Sequence, residues 1–335
     1  MLGCVGGLEA RHTVNRSGYS ESRIAEQSAN HGGFPRFGAR VMVALALVAF
    51  ALLLALLPAC SKPKPAARSG PAQRIVSISP STTEAVFAVG AGDAMVGRSR
   101  YCDYPPEVKK LPQVGGYVDP SFEAILGLQP DLVVGARGPA GSAISEKLEA
   151  RGIATFFPPA ESFEAIDAML LGVGERTGRS EAAKAVVDTI HQHIAAVERA
   201  VSSKPKTRVL VVFGLEPLSV AGPSSFPDEM IRRAGGTNVI SEGGAYPVIG
   251  VERVLALDPD VIVNAAMMEE RASERLRKDA PGWSRVRAVQ AGHVSTITDE
   301  AVLRPGPRIA EGLALLARAI HPDLTIDLDT GGGSP

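Results

Sequence analysis

The sequence predicts an α/β protein made of two lobes, each built on a parallel sheet, that are joined by one long helix. Short runs of β-branched residues alternate with helical segments, and the alternation restarts at Arg208. Strands that alternate with helices form parallel sheets covered by helices on both faces. One amphipathic stretch separates the two halves, and a thirteen-residue segment of the first half recurs, with substitutions, in the second.

Length and composition agree with two lobes. The chain has 335 residues, of which 45% are hydrophobic and 21% are charged, which is enough for two domain-sized cores. The formal net charge is −1, and the body has no cluster of Lys and Arg, which excludes a nucleic-acid-binding surface. We predict a leader (1–60), a flexible tether (61–73), an N-terminal α/β lobe (74–179), a bridging helix (180–203), a C-terminal α/β lobe (204–322) and a frayed tail (323–335).

The leader has the features of a secretory signal that ends at a lipid attachment site. Its apolar run, 41–57, follows two arginines, which is the order of charge and hydrophobicity in secretory signals. Small Ala59 before Cys60 is typical of a bacterial lipobox, although the proline before them is not. Lipidation of Cys60, ordinary signal cleavage and a retained single-span anchor all place the body outside the cytoplasm.

The body without its leader is mildly acidic and has a single cysteine. Loss of five Arg and three Glu leaves 30 basic and 33 acidic residues. Cys102 has no partner in the body, which excludes a structural disulfide. This thiol could be a ligand to a metal ion held by a bound cargo or, more simply, is a small buried hydrophobic side chain.

The first half alternates strands with helices. Ser81 and Glu84 have the spacing of a capping box, in which each residue satisfies a free amide of the other at a helix start. Predicted strands cover 74–79, 131–134 and 154–157, and predicted helices begin at 81 and 122 and cover 143–150.

The second half repeats this alternation after a long helix. Apolar residues of 180–202 recur at the spacing of one helix face, and a helix of this length spans about 35 Å, enough to run along both lobes. Predicted strands then cover 209–213, 261–263 and 294–297, and predicted helices cover 226–234, 251–257 and 308–320, the first ended by two glycines.

The repeated segment places one acidic residue at a helix start in each half. It reads FEAILGLQPDLVV at 122–134 and VERVLALDPDVIV at 251–263, with six of thirteen positions identical. In both copies a helix ends before a Pro and leads into a strand. Glu123 and Glu252 begin these helices, where the helix dipole favours a carboxylate. Each alone could be a good first-turn residue, but the repetition favours a matched pair on opposite sides of a cleft.

Several stretches resemble, in order, the periplasmic cobalamin-binding proteins of ABC importers, within the wider siderophore and haem group. They are RIVSISPSTTEAVFAVGAGDAMVG, YCDYPPEVKKLPQVGGYVDPSFEAILGLQPDLVV, VERVLALDPDVIV and RPGPRIAEGL, and the resemblance covers 74 to about 320. It implies two Rossmann-like lobes joined by one rigid helix, the class III periplasmic binding fold. It also implies a transported corrinoid rather than a cofactor, an ABC permease with its ATPase as partner, and a monomer.

The resemblance assigns roles to individual residues. Glu123 and Glu252 match the two acids that dock onto arginines of the permease. The ligand contacts that it implies are mostly aromatic, which suits a flat and largely neutral macrocycle; they are Tyr101, Tyr117, Phe213, Tyr246 and Asp299. Ala136 departs from the pattern because an aromatic residue is expected there.

Other cargoes on the same fold are the alternatives. A haem carrier would offer an axial Tyr or His, and Tyr101 or Tyr117 could serve. A ferric-siderophore carrier favours arginines in the cleft. Arg304 and Arg308 are candidates for binding an anionic group, although they could equally be solvated surface residues.

A metal carrier and an enzyme fit the sequence poorly. A zinc or manganese site needs several converging His and carboxylate ligands, but His191 and His193 are two residues apart and point to different sides of a helix, and we predict no metal site. The glycine-containing turns at 90–92 and 138–141 lack the G-x-G-x-x-G pattern of a phosphate loop. We find no catalytic set.

Overall fold

A computed structural model describes residues 38, 42, 70–138, 141–266 and 272–328. The described residues from 70 onward belong to one compact unit. The proposed lipidation residue Cys60 and nearly all of the apolar leader run lie outside the described residues. Within the described ranges, no helix is both long and apolar enough to cross a membrane.

The N-terminal lobe is a four-stranded parallel sheet with strand order β2-β1-β3-β4. Its central strands are buried because their β-branched residues are enclosed by helices on both faces. The strands are β1 (Ile75–Ser77), β2 (Met95–Arg98), β3 (Leu132–Val134) and β4 (Ala154–Phe156), and the helices are α1 (Pro80–Ala88), α2 (Phe122–Gly127), α3 (Gly141–Glu149) and α4 (Phe163–Thr177).

The long helix α5 (Ser180–Val201) follows, as the amphipathic pattern predicted. It packs against α4 on one side and against the last helix of the chain on the other. Its buried face joins an apolar core that runs continuously from the first sheet to the second. A Cβ at Gly174 would lie 2.5 Å from the Cβ of Ala183, so glycine there permits the close contact between α4 and α5.

The C-terminal lobe has a mixed sheet around its longest strand, β5 (Thr207–Leu215). Strand β5 pairs in parallel with β7 and β8, and β8 pairs in parallel with β9. Strand β6 forms an antiparallel hairpin with β5. The strands are β5 (Thr207–Leu215), β6 (Leu218–Val220), β7 (Gly236–Asn238), β8 (Val261–Asn264) and β9 (Val294–Thr296), and the helices are α6 (Phe226–Arg233), α7 (Val251–Leu257), α8 (Ala272–Arg275), α9 (Arg287–Ala291) and α10 (Ile309–Ile320).

The repeated segment forms the same structure in both lobes. In the N-terminal lobe, the Arg74 guanidinium donates to the two carbonyls that directly follow α2, and the Asp131 carboxylate accepts from the Arg74 amide at 3.0 Å. In the C-terminal lobe, Arg208 donates to the last carbonyls of α7, and Asp260 accepts the Arg208 amide at 3.0 Å. Helices α2 and α7 therefore have equivalent positions beside the first strands of their lobes.

The predicted capping box is wrong. The residue that precedes α1 is Ser79, and Pro80 occupies the first helical position, where its fixed φ suits a helix start. The hydroxyl of Ser79 accepts from the Ala136 amide at 2.8 Å instead of capping the helix. Glu84 is one turn inside α1 and is free to pair elsewhere.

Candidate functional site

The candidate site lies where the strands of both sheets end. In open parallel sheets, ligands bind beyond the carboxyl ends of the strands. Six large apolar or aromatic side chains are exposed within 70–138, 141–266 and 272–328. All except Leu171 belong to the segments that follow strands β2 and β7; they are Tyr101, Tyr104, Val118, Tyr246 and Val248.

Two of the predicted ligand tyrosines approach the same carboxylate from opposite lobes. Burial raises the pKa of Tyr117 and of Tyr246, and the negative charge of Glu161 raises both further. Tyr246 also contacts Phe213 edge to face, with ring centroids 5.8 Å apart. Glu161, which sequence reasoning did not identify, is therefore close enough to Tyr117 and to Tyr246 for its charge to affect both hydroxyls.

The floor of the cleft is a mostly apolar hollow shared by the lobes. Its volume is about 300 Å³. Pro80 and Ser81 at the start of α1 line one side, and Phe213 and Ala265 at the ends of β5 and β8 line the other. Leu303 and Pro305 complete its apolar surface. We call this cavity the cleft-floor hollow.

Buried ion pairs join the lobes beside the cleft-floor hollow. The Glu84 carboxylate accepts from Arg304 Nη1 at 2.7 Å and from Arg308 Nε and Nη2 at 2.9 and 3.0 Å. These side chains are only 3%, 11% and 14% exposed. Burial by itself lowers the pKa of Arg308, but the hydrogen bonds and charge of Glu84 raise it overall. Arg308 is therefore charged in this buried cluster.

The two arginines match neither interpretation made from the sequence. They are not solvated surface residues, and both already pair with Glu84 of the other lobe and with further carboxylates beside them. Asp103 accepts from Arg304 at 3.1 Å, and the Tyr104 ring covers Arg308, with its centroid 4.1 Å from the guanidinium carbon. Sequence reasoning missed Glu84 and Tyr104 as cleft residues, although Tyr104 belongs to the same YCDYPP stretch as Tyr101.

The remaining predicted ligand residues lie at the edge of this cluster. Asp299 accepts from the Ala301 amide at 2.9 Å and from Arg308 at 3.2 Å, and its side chain is about half exposed. Tyr101 is 46% exposed, and the Arg100 guanidinium lies 5.7 Å from its ring centroid. Both side chains are therefore accessible from the cleft.

Cys102 fits the description of a buried hydrophobic residue. It is fully buried, Thr83 donates to its Sγ at 3.0 Å, and burial raises the pKa of its thiol. Because the thiolate is the reactive form, we expect the native protein to react with a thiol reagent such as DTNB far more slowly than the unfolded protein does. Rapid colour development from Cys102 in the native state would contradict this prediction.

The two predicted docking acids are exposed and occupy equivalent positions. Glu123 lies in the first turn of α2 and Glu252 in the first turn of α7. Helix α2 precedes β3, which pairs with β1, whereas α7 precedes β8, which pairs with β5. No ion pair involves either acid within the part of the chain that the structure describes.

Comparison with known proteins agrees with this architecture. Two curated relatives are vitamin B12-binding proteins. That of Vibrio campbellii is 28% identical over 245 residues, which cover 72% of this chain and 86% of the relative. That of Salmonella typhimurium is 34% identical over 200 residues, which cover 59% and 74%.

Solved structures of similar proteins have the same fold. A periplasmic haem-binding protein from Pseudomonas aeruginosa matches 76% of this chain and 95% of its own, with 30% identity and a TM-score of 0.66. The periplasmic vitamin B12-binding protein of Vibrio cholerae matches 75% and 97%, with 25% identity and a TM-score of 0.64. A family model for periplasmic binding proteins matches residues 75–301. The chain therefore belongs to the periplasmic binding protein family, whose members are extracytoplasmic substrate-binding proteins of transporters and not enzymes.

Proposed function

We propose that this protein captures cobalamin or a related corrinoid between its lobes and delivers it to an ABC permease. The observation that carries the proposal is the group of aromatic side chains from both lobes above an apolar floor. Tyr117, Phe213 and Tyr246 offer ring faces and edges, and Tyr101 offers an accessible phenol. A large, flat and mostly neutral macrocycle binds to such a surface, with a few polar groups to orient it.

The mechanism consists of capture, docking and release. The continuous apolar core and the ion pairs of Glu84 join the lobes, so the cleft changes little in width when cargo enters. Glu123 and Glu252 then bind arginines of the permease, and ATP is hydrolysed by the partner. A lipid on Cys60 tethers the protein, which acts as a monomer, to the outer face of the membrane.

Haem is the second candidate cargo, and two observations favour it. A haem-binding protein is among the similar structures, and the exposed phenol of Tyr101 has Arg100 beside it, which would support a negatively charged oxygen ligand. Tyr117 is a poor axial ligand because its hydroxyl donates to the Arg137 carbonyl at 2.8 Å. A ferric siderophore is less suitable because Glu84 neutralises Arg304 and Arg308.

The cargo can be identified by direct titration. The purified protein would be mixed separately with cyanocobalamin, haem and a ferric hydroxamate siderophore, and heat of binding and visible spectra would be recorded. We expect heat and a comigrating red colour with cyanocobalamin. Absence of both would contradict the proposal, and a Soret shift with haem alone would establish the second candidate.

Removal of one aromatic anchor tests the position of the site. We expect Tyr246→Ala to weaken corrinoid binding by about tenfold to thirtyfold, because truncation of a central aromatic contact costs about 1–2 kcal/mol or more. Tyr246 is 57% exposed, so the substitution leaves the core intact. Leu171→Ala is the control, since Leu171 is an exposed apolar residue on α4 and outside the cleft segments. Equal affinities of the two variants would place the cargo elsewhere.

A further inference from the structure

The cations at the carboxyl ends of the strands are almost all engaged. Arg98 is buried and donates to backbone carbonyls, and Arg100 pairs with Asp119 at 2.8 Å. Arg304 and Arg308 pair with Glu84. A cargo that carries a negative charge therefore cannot be neutralised by these four arginines.

Arg137 differs from these four arginines because its guanidinium has no partner among the described residues. It follows β3 at the carboxyl edge of the N-terminal sheet, its side chain is exposed, and no described residue forms an ion pair or a side-chain hydrogen bond with it. Its backbone is nevertheless fixed from two directions. The Arg137 amide donates to the Pro158 carbonyl at 2.9 Å, and its carbonyl accepts from the hydroxyl of Tyr117 at 2.8 Å.

This arrangement holds a free guanidinium beside a predicted ligand residue. The loop that carries Tyr117 and the loop that follows β4 both hold the Arg137 backbone, so its position costs little additional entropy when a ligand binds. Guanidinium groups bind phosphate in a bidentate geometry, with two parallel N–H to O hydrogen bonds. Because the negative charge of Glu161 acts on Tyr117 and Tyr246, an anionic group that enters the cleft needs a cation of its own.

We propose that Arg137 binds the phosphodiester of the nucleotide tail of a corrinoid and so distinguishes complete corrinoids from those without the tail. This inference rests on the proposed function, since it assumes a corrinoid in the cleft. The macrocycle is then held by the aromatic residues, whereas its single negative charge is held by Arg137. The tail becomes a specificity element of the site.

The test compares two corrinoids that differ in the tail. Cyanocobalamin carries the phosphodiester, and dicyanocobinamide has the same ring without the nucleotide tail. The full chain, purified in mild detergent, is titrated with each ligand by calorimetry. We expect Arg137→Gln to weaken cyanocobalamin binding about threefold to tenfold, as for a partly desolvated charge pair, and dicyanocobinamide binding less than about twofold.

Three further measurements make the test specific. Arg137→Lys keeps the charge but cannot form the bidentate hydrogen bonds, so we expect it to retain part of the preference for cyanocobalamin. Arg179→Gln removes an exposed arginine from the connection between α4 and α5 and leaves both affinities unchanged. Added salt weakens cyanocobalamin binding to the wild type more than to Arg137→Gln, because the charge pair is screened.

The two hypotheses fail in different ways. If the wild type binds neither corrinoid, the proposed function is wrong. If it binds both and Arg137→Gln weakens both equally, or weakens neither, the role of Arg137 is wrong and the proposed function stands. Circular dichroism melting confirms that the variants are folded, which is expected because the Arg137 side chain is exposed and its hydrogen bonds to described residues use backbone atoms.

Discussion

Replacement of both Glu123 and Glu252 with alanine will reduce uptake of cargo by cells about twofold to thirtyfold while capture in the cleft is unchanged. Both carboxylates are exposed in the first turns of equivalent helices, so neither contributes to the cores of the lobes. An exposed ion pair contributes about 0.2–1 kcal/mol and accelerates encounter. Loss of two such pairs therefore weakens docking without affecting the cargo site.

Uptake of labelled cargo by cells and calorimetric affinity of the purified protein are measured for the same variants. Each single substitution should have an intermediate effect, because one lobe still docks. The control removes two other exposed acids, Glu146 from the N-terminal lobe and Asp279 from the C-terminal lobe, and so matches the change of charge. Full import by the double variant, or an equal loss in the control, would remove the docking role.

The features that sequence predicted well depend on neighbours along the chain. The helix α5 was recognised from its apolar spacing; it begins at the predicted residue and ends two residues before the predicted end of the bridging helix. The repeated segment was recognised because a proline interrupts the helix at the same position in both copies. The structure adds a reason for its recurrence, since Gln129 and Asp258, the residues before these prolines, both have positive φ values. Arg74 and Arg208 hold the same turn in each lobe.

The missed elements have weak local signals. Helix α4 was not predicted because Gly172 and Gly174 lower its helix propensity, although Ser162 caps its start and Gly178 ends it in the left-handed conformation. Strands β2, β6 and β7 have only three or four residues each. Their formation depends on pairing with β1 and β5, which local patterns do not report.

The site was predicted only in part for the same reason. The aromatic residues were identified through the family resemblance, which carries positions across distant segments. Glu84 was assigned to a local capping box because its partner Arg304 is 220 residues away along the chain. Glu161 was missed because its proximity to Tyr117 and Tyr246 exists only after the lobes are assembled.

Glu84→Ala will lower the free energy of unfolding by about 3–5 kcal/mol. The substitution removes the one buried carboxylate of the cluster, and Arg304 and Arg308, which are 11% and 14% exposed, keep only the half-exposed carboxylates of Asp103, Glu300 and Asp299. These partners are screened by water, so they offset less of the desolvation cost of the two buried guanidinium groups than Glu84 does. Urea unfolding can be followed by the fluorescence of Trp283, the single tryptophan of the chain.

Asp103→Asn provides the matched control because Asp103 contacts the same arginine. Its side chain is 48% exposed, so its ion pair is screened by water, and we expect a loss below about 1 kcal/mol. If Glu84→Ala is no less stable than Asp103→Asn, the buried pair contributes little and other acids neutralise the arginines. A large difference would show that Glu84 both joins the lobes and withholds two cations from the cargo. The preference of the cleft for a largely neutral macrocycle would then follow from the interlobe contact itself.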